Sequence, residues 1–378
     1  MDVAHEHSTR GSVTPAPADA VPVHKLACFR KSPRPCINQR LVDELKPLRT
    51  WRFLQYGTQD ERSISYATAC SVIIGTPFEI TSVQQARQLP KIGDKLILKV
   101  KEFLEKGFIK ESRDVQQLER FKVLERLQSV HGIGYKAATD LFDKGARNLD
   151  DVRKMYANRG PIVSYLKYHS DLQETMSRAE VESIRDFIQI QLDKVQPGAK
   201  LELCGGYRRG KEFSNDVDVI ITYPHRDGVE RGVLKKLVHR LIRKGLIPED
   251  GVLMHTTAGT DRTTWASSPA PLIDTLDKAL VIFRHPRNSF ERCRDVWRRV
   301  DLVVAAWPHW GSAIVGWTGS TQFERDLRTW AKKKGYVFDS GGLRVEATNQ
   351  FVPAEQEKDV FRVLELEYIE PHLRNADP

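Results

Sequence analysis

The pattern of apolar positions changes near residue 178. Before it, segments such as INQRLVDELKPLRTWRFL and SYATACSVIIGT place apolar residues three and four apart, which predicts helices. After it, the β-branched runs KLELC, DVDVIIT, KALVIF and RVDLVV are bounded by turns and alternate with amphipathic helices such as VLKKLVHRLIRKG. We therefore expect an all-helical N-terminal part followed by an α/β part.

The same patterns predict a multidomain chain of class α and α+β. Residues 1–36 are rich in Pro, Ala, His and Ser and show no period, which indicates a disordered leader. Two helical units are expected at 37–113 and 114–177. A mixed-sheet unit is expected at 178–308, and a small α/β unit at 309–378.

The composition indicates which binding partners and which cell compartment to expect. Lys and Arg number 59 against 50 Asp and Glu, a formal charge of +9 that favours polyanions such as nucleic acid. The 5 cysteines are scattered and form no CxxC pair, which favours a reducing compartment, cytosol or nucleus. No apolar stretch reaches the roughly 18 residues that a membrane span needs, so we expect no membrane partner.

One short theme occurs twice, in LPKIGDKLILKVKEFL and VHGIGYKAATDLFDKG, and predicts a helix, a glycine turn and a second helix. Gly132 and Gly134 can expose backbone N–H groups at the start of the second helix, where a DNA phosphate could dock. An ordinary helix corner is the alternative for one isolated turn. Two copies in a basic chain favour phosphate binding. Because Lys91 stands where the second copy has Gly132, we expect a tighter turn or an altered phosphate contact there.

Two aspartates head the apolar run in SNDVDVIIT. On a strand, Asp216 and Asp218 would project from the same face, about 6 to 7 Å apart along the chain. Such a pair repels unless divalent cations lie between the carboxylates, an arrangement suited to phosphoryl or nucleotidyl transfer. A lone D-x-D is more often a strand-end cap or a solvated turn.

Neighbouring motifs favour the metal interpretation. Upstream, CGGYRRG carries Gly205 and Gly206, which would let backbone amides approach a triphosphate, and Arg209, which could neutralise it. Downstream, RRVDLVV carries a third acid, Asp301, beside Arg299. A third carboxylate on an adjacent strand is what a two-metal site requires.

Together these motifs resemble family X of the DNA polymerases, from about residue 40 to 375. GGYRRG with NDVDVIIT resembles the palm signature, RRVDLVV its third-aspartate strand, and GWTGSTQFERDLR the nucleotide-binding start of the thumb. The glycine turns resemble helix-hairpin-helix elements. GWTGS and the C-terminal DVFRVLELEYIEPHLRN are more similar to the polymerase mu and terminal transferase branch than to beta or lambda.

The resemblance implies a helical lyase-like domain, a helical fingers-type domain, a nucleotidyltransferase palm and a small thumb. It implies that Asp216, Asp218 and Asp301 hold two Mg²⁺ or Mn²⁺ ions, with a monovalent cation at the helix-hairpin-helix turns. The implied nucleotide-binding residues are Gly205, Gly206, Arg209, Gly316, Trp317 and Gly319. The implied DNA-binding residues are Arg62, Gly93, Lys95, Gly132, Gly134, Lys136, Arg299 and Arg328.

Three features, compared with other family members, carry functional expectations. Family members that discriminate against ribose have a bulky aromatic residue where this chain has Gly316, so we expect weak sugar discrimination. Asn215 stands where the mu and terminal transferase branch has a histidine, so we expect templated synthesis with little untemplated tailing. The long polar segment HTTAGTDRTTWASSPAPLIDT matches a loop that steadies a poorly paired primer end, or is a tolerated surface insertion.

The resemblance also places Lys99 at the nucleophile position of a 5′-deoxyribose-phosphate lyase. A lysine attacks a sugar aldehyde only as the neutral amine, which neighbouring cations favour. Arg62 and Lys95 match the 5′-phosphate pocket and are expected to supply that field. The alternative is that Lys99 lies on a basic helix that faces DNA.

The predicted function is template-directed DNA repair synthesis at short gaps and double-strand-break ends. The expected partners are gapped or broken DNA, dNTPs, NTPs and the end-joining factors Ku and the DNA ligase IV complex. We expect a nuclear monomer, and nothing in residues 1–40 could form the BRCT module that docks mu-type enzymes. The alternatives are an RNA-tailing nucleotidyltransferase and a catalytically silent scaffold that binds DNA ends.

Overall fold

The computed structural model describes residues 23–156, 160–226, 228–256, 276–286 and 296–378. Most of the predicted leader and most of the long polar segment, residues 1–22 and 257–275, lie outside the described residues.

Helices fill the described residues from 39 to 173. One apolar core, which contains Leu45, Leu48, Leu124 and Leu127, runs through both predicted helical units, so the expected boundary at 113 does not separate two cores. The helices are α1 (Gln39–Tyr56), α2 (Glu61–Ile74), α3 (Val83–Gln88), α4 (Asp94–Lys106), α5 (Lys110–Gln117), α6 (Glu119–Gln128), α7 (Tyr135–Asp143), α8 (Leu149–Met155), α9 (Gly160–Lys167) and α10 (His169–Gln173).

The two glycine turns join α3 to α4 and α6 to α7. Gly132 in the second turn has φ +90°, and Lys91 in the first has φ +65°, so both enter the left-handed region. The residues that cap the following helices are Gly93, with φ −86° and ψ 171°, and Gly134, with φ −79° and ψ 175°. The backbone therefore follows similar paths in the two turns, and the tighter turn expected at Lys91 is not found.

A five-stranded mixed sheet forms the palm. Its strand order is β2-β4-β7-β6-β5, and β4 and β7 are parallel while the other neighbours are antiparallel. α11 and α13 pack against the sheet and bury an apolar core with it. The elements are β1 (Met176–Ser177), α11 (Arg178–Asp193), β2 (Lys200–Leu203), α12 (Gly205–Arg208), β3 (Phe213–Ser214), β4 (Asp216–Thr222), α13 (Val233–Arg243), β5 (Val252–His255), β6 (Asp277–Arg284) and β7 (Trp297–Val304).

The C-terminal unit is a small α/β thumb. Its three-stranded antiparallel sheet has the order β10-β9-β8, and its core includes Phe323, Leu327 and Phe361. The elements are α14 (Trp310–Thr318), α15 (Thr321–Lys333), β8 (Tyr336–Asp339), β9 (Gly342–Val345), β10 (Phe351–Val352) and α16 (Glu357–Val363). The predicted class, multidomain α and α+β with a mixed-sheet palm, is confirmed.

The disordered leader predicted for residues 1–36 is wrong for residues 23–36. The backbone N–H of Ala27 donates to Asp326 at 2.7 Å, and Ser32 forms an isolated bridge with Arg374 in the thumb. The Arg30 guanidinium donates to Ser71 Oγ of α2 at 2.6 Å. The composition of the segment did not indicate this ordered packing. A few apolar residues, such as the buried Cys28, are enough to anchor a Pro-rich segment to the thumb core.

None of the described helices meets the length and hydropathy that a membrane span requires.

Candidate active site

The three aspartates predicted as metal ligands converge on one edge of the palm. β4 and β7 are parallel neighbours, and their register places Asp218 opposite Asp301 and Asp216 opposite Arg299. Each aspartate offers a carboxylate oxygen, and these oxygens all lie within 4.8 Å of one another. The period of the strand keeps Asp216 and Asp218 on one face, and the parallel pairing brings the third carboxylate to that face.

The electrostatics of this cluster oppose the charged state of the carboxylates. Burial, and after it the Asp301 charge, raises the pKa of Asp218. Burial also raises the pKa of Asp301, although Arg299 lowers it in part. The Arg299 guanidinium donates to Asp216 and lies 3.5 Å from Asp301 Oδ1. Arg299 thus contacts two of the three carboxylates, while the charges of Arg209 and Lys211 lower the pKa of Asp218 in part. Burial outweighs these cations, which leaves the site electrostatically suited to further cations.

The donor set fits divalent metal ions. Oxygen ligands are those that Mg²⁺ and Mn²⁺ prefer, and like carboxylates this close are stable as anions when cations lie between them. Asp301 Oδ1 is buried and accepts no hydrogen bond within the part of the chain that the structure describes. The residues that could hold the ions are Asp216, Asp218 and Asp301.

Gly205 is required by the position of Asp218. Its φ is +56°, and a Cβ at this residue would collide with the Asp218 carboxylate. The following residue differs, since a Cβ on Gly206 would meet only the flexible side chain of Lys211, with Cδ at 2.8 Å. Both glycines were predicted to let a triphosphate approach. The structure adds that Gly205 makes room for the carboxylate itself.

A cleft of about 770 Å³ gathers five of the residues predicted to bind nucleotide or DNA. Arg209, which lines this cleft, donates to the Thr318 carbonyl. Burial raises the pKa of Glu324 to about 7, although Arg328, whose guanidinium donates to it at 2.5 Å, lowers it in part. The predicted residues that line this cleft are Arg209, Gly316, Trp317, Gly319 and Arg328.

Gly316 has a packing role that the sequence did not indicate. A Cβ here would lie 2.5 Å from Ser340 Oγ and 3.0 Å from Ser340 Cα. The residue therefore lets α14 pack closely against the turn between β8 and β9. Close packing explains the glycine independently of any contact with a sugar.

Sequence reasoning missed a second cavity, of about 230 Å³, beside the acidic cluster. It lies between the second glycine turn and the palm, and its lining includes His131, Tyr165, Asn215 and Arg299. The Tyr165 hydroxyl is buried and has no hydrogen-bond partner among the described residues. Burial, and then Arg299, lowers the pKa of His131 to about 4. The HGIG motif contains His131 and could have drawn attention to it, but no local pattern marks Tyr165.

The glycine turns present open helix starts. A Cβ added at Gly93 or Gly134 would meet no atom within 4 Å, and at Gly132 only Ile162, at 3.6 Å. Lys136 lies in the first turn of α7, with its amine 6.0 Å from the centroid of the Tyr135 ring. Both turns are therefore sterically accessible to a backbone phosphate.

Lys99 lies in α4, and its amine has an acidic partner. Its amine pairs with Glu111 of α5 at 2.7 Å. Arg62 pairs with Asp60 at 2.8 Å instead, and Lys95 is exposed in the first turn of α4. The structure therefore gives Lys99 a carboxylate partner that the sequence did not indicate, and the positive field expected from Arg62 and Lys95 stays a prediction.

Three carboxylates on a parallel strand pair, next to a glycine turn and an arginine-lined cleft, define a metal-dependent nucleotidyltransferase. Family models match three parts of the chain. They describe a helix-hairpin-helix domain at residues 36–109, a DNA polymerase beta palm at 175–307 and a DNA polymerase beta thumb at 313–375.

Curated relatives support the same class of enzyme. The DNA nucleotidylexotransferase of Xenopus laevis is 31% identical over 376 residues, which cover 96% of this chain and 73% of the relative. The DNA-directed DNA/RNA polymerase mu of Homo sapiens is 32% identical over 366 residues, with coverage of 93% and 72%. The DNA polymerase type-X family protein pol4 of Schizosaccharomyces pombe is 28% identical over 385 residues, with coverage of 97% and 71%.

The chain belongs to family X of the DNA polymerases, on the branch of polymerase mu and terminal transferase. The resemblance inferred from the sequence is confirmed. The protein is a DNA repair polymerase, an enzyme of the nucleotidyltransferase type whose substrates are DNA and nucleotides and whose family uses divalent metals.

Proposed function

We propose that this polymerase adds nucleotides to a 3′ hydroxyl at short gaps and at double-strand-break ends, as in base-excision repair and non-homologous end joining. Two Mg²⁺ or Mn²⁺ ions held by Asp216, Asp218 and Asp301 would activate the primer hydroxyl and stabilise the triphosphate charge. The single observation that carries this proposal is the convergence of three carboxylate oxygens within 4.8 Å on a parallel strand pair.

The remaining residues of the site have positioning roles in this proposal. Arg209 lines the cleft and supplies positive charge to the triphosphate. Gly319 also lines the cleft and has no side chain that would keep the nucleotide from the backbone. Trp317 offers a planar wall for the sugar and base of the incoming nucleotide. Arg328 contacts the template side, and the amides at Gly93 and Gly134 bind the DNA backbone, with a monovalent cation at each turn.

The first test is primer extension on a duplex with a one-nucleotide gap and a 5′-phosphate, with Mg²⁺ or Mn²⁺. We expect templated addition by the wild type and none by the variant Asp216→Ala with Asp218→Ala. No addition by the wild type with either metal would contradict the proposal and favour the silent scaffold. A preference for RNA primers would favour the RNA-tailing alternative.

We further propose weak discrimination between dNTPs and NTPs, with templated rather than untemplated addition because of Asn215. Gly316 supports the first part, and the human relative is named a DNA/RNA polymerase. Since a Cβ at 316 would meet Ser340, the informative comparison is Gly316→Ala in a Ser340→Gly background. One methyl group should shift selectivity towards dNTPs by about tenfold. Ser340→Gly alone is the control, and an unchanged ratio in the double variant would contradict the role of Gly316.

The proposed partners and location follow from the repair function. End-joining factors, namely Ku and the DNA ligase IV complex, would bring the enzyme to broken ends in the nucleus, where it would act as a monomer. Co-sedimentation with Ku on a DNA duplex tests recruitment, and light scattering tests the monomeric state.

The proposed lyase activity uses Lys99 as the nucleophile that attacks the aldehyde of a 5′-deoxyribose phosphate. Its position in α4, directly after an open helix-hairpin-helix turn, supports the proposal. Borohydride trapping with wild type and Lys99→Ala tests it, and equal trapping by the two proteins would reject Lys99.

A further inference from the structure

Lys99 and Glu111 form an ion pair between two helices of the N-terminal unit. The Lys99 amine lies 2.7 Å from Glu111 Oε2, and their side chains are 22% and 38% exposed. Glu111 Oε1 accepts a second hydrogen bond, from the Arg52 guanidinium of α1, at 3.1 Å. The carboxylate therefore holds the amine of Lys99 against α5 and α1.

The surroundings of the pair reinforce the negative charge of Glu111. Burial alone would raise the pKa of Glu111, but hydrogen bonds from Lys99 and Arg52 lower it below its ordinary value. Arg52 stacks over the Tyr66 ring of α2 at 4.0 Å, which fixes the guanidinium in place. Glu102, one turn along α4, adds another carboxylate that interacts with Lys99.

Schiff-base chemistry requires that this pair separate. The ammonium of Lys99 must lose a proton to solvent, and the neutral nitrogen then attacks C1′ of the open-chain sugar. The carbinolamine releases water to form the imine, and loss of a C2′ proton breaks the C3′–O bond and frees the 5′-phosphorylated DNA end. While the amine is paired with the Glu111 carboxylate at 2.7 Å, its nitrogen is engaged in that contact and is not free to reach C1′.

We propose that Glu111 restrains Lys99 and thereby limits the lyase step, so that the wild-type chain is a slower lyase than its nucleophile would allow. The inference rests on the proposed lyase function of Lys99. Glu111 acts through Lys99 and is a positioning residue, not a catalytic one. A 5′-phosphate dianion could release the amine of Lys99, because it would compete with Glu111 for the Arg52 guanidinium.

The test is borohydride trapping under single turnover with the full chain and a 5′-deoxyribose-phosphate flap. Glu111→Gln keeps the shape of the side chain and removes its charge, and we expect trapping about three- to tenfold faster than wild type. Glu111→Asp retains the charge and should trap at a rate close to wild type. Glu105→Gln is the matched control, because Glu105 pairs with Lys101 at 3.7 Å on the same helix. It changes the net charge equally and should leave trapping unchanged.

Each outcome decides the matter. Faster trapping by Glu111→Gln that disappears on adding Lys99→Ala supports the inference. Trapping by Glu111→Gln that is equal to or slower than wild type, yet depends on Lys99, overturns the restraint and leaves the lyase proposal intact. Trapping absent from both proteins, or unaffected by Lys99→Ala, overturns the lyase proposal together with the inference. Gap filling by Glu111→Gln at the wild-type rate shows that the variant is folded.

Discussion

The acidic cluster of the palm and the Lys99 site differ in how their charges are compensated. In the palm, three carboxylates converge on paired strands beside Arg299, and burial raises the pKa of Asp218 and Asp301 although nearby cations lower it in part. At Lys99, the amine already has a carboxylate partner at 2.7 Å. A site with excess charge of one sign is prepared for a ligand of the other sign, whereas a compensated site must lose an interaction before it can react.

Each site also adjoins one of the two helix-hairpin-helix turns. The first turn leads into α4, which carries Lys99. The second carries His131, which lines the cavity shared with Asn215 and Arg299 beside the acidic cluster. The same backbone motif thus places an open helix start next to a compensated site in one domain and next to a site with excess negative charge in the other.

Removal of the excess charge should have the largest effect. Asp301→Ala leaves two carboxylates, and we expect gap filling to fall by about a thousandfold or more, because metal coordination supplies several kcal/mol of transition-state stabilisation. Single-turnover nucleotide addition measures this. Lys99→Ala is the reciprocal variant and should stay within about twofold of wild type. A comparable loss in Lys99→Ala would break the distinction between the sites.

Displacement of one carboxylate without changing its charge should have the next largest effect. In Gly205→Ala the new methyl group collides with the Asp218 carboxylate at a backbone φ of +56°. We expect about a hundredfold slower addition, since a displacement of about 1 Å at a reacting centre costs that much. Gly245→Ala is the matched control, because it places a methyl group at a similar backbone φ of +68° where no atom lies within 4 Å. Equal activity of the two variants would show that the position of Asp218 is not critical.

The pH dependence of stability sharpens the comparison, since His131 lies on the palm side. Its pKa is about 4 in the folded protein, below its ordinary value of 6.5, so the unfolded chain takes up the proton first. Stability is therefore full above about pH 6.5 and falls as the pH drops towards 4, by about 3 kcal/mol. Urea unfolding of wild type and His131→Gln measures this, and we expect a smaller acid loss in the variant. Parallel pH profiles would contradict the burial of a neutral His131.

The glycine turns should show the smallest effects. Gly132→Ala places a side chain at φ +90°, where space is available, so we expect a loss of about 1 kcal/mol from backbone strain alone. Lys91→Gly removes a side chain from the same left-handed backbone conformation in the first turn. It should therefore stabilise the protein by about 0.5 to 1 kcal/mol. Thermal unfolding of both variants checks whether each substitution lowers or raises stability as expected. A stabilising Gly132→Ala would show that the turns are not equivalent.

Local patterns predicted much of the fold because they reflect contacts close in sequence. The apolar run after Asp218 predicted β4, and the glycines at 132 and 134 predicted a turn between helices. The leader shows the limit of this reasoning. Its composition indicated disorder, yet residues near Cys28 pack on thumb residues about three hundred positions away, a contact that no local pattern reports.

The sequence by itself determined which groups share a strand face and which glycines stand at turns, since both follow from the geometry of a few consecutive residues. It also established the family. Only the tertiary structure decided the register of β4 on β7, which sets Asp218 opposite Asp301, and the partner of Lys99, which is Glu111. Those pairings depend on how distant segments pack, so the charge that a side chain meets is a property of the fold.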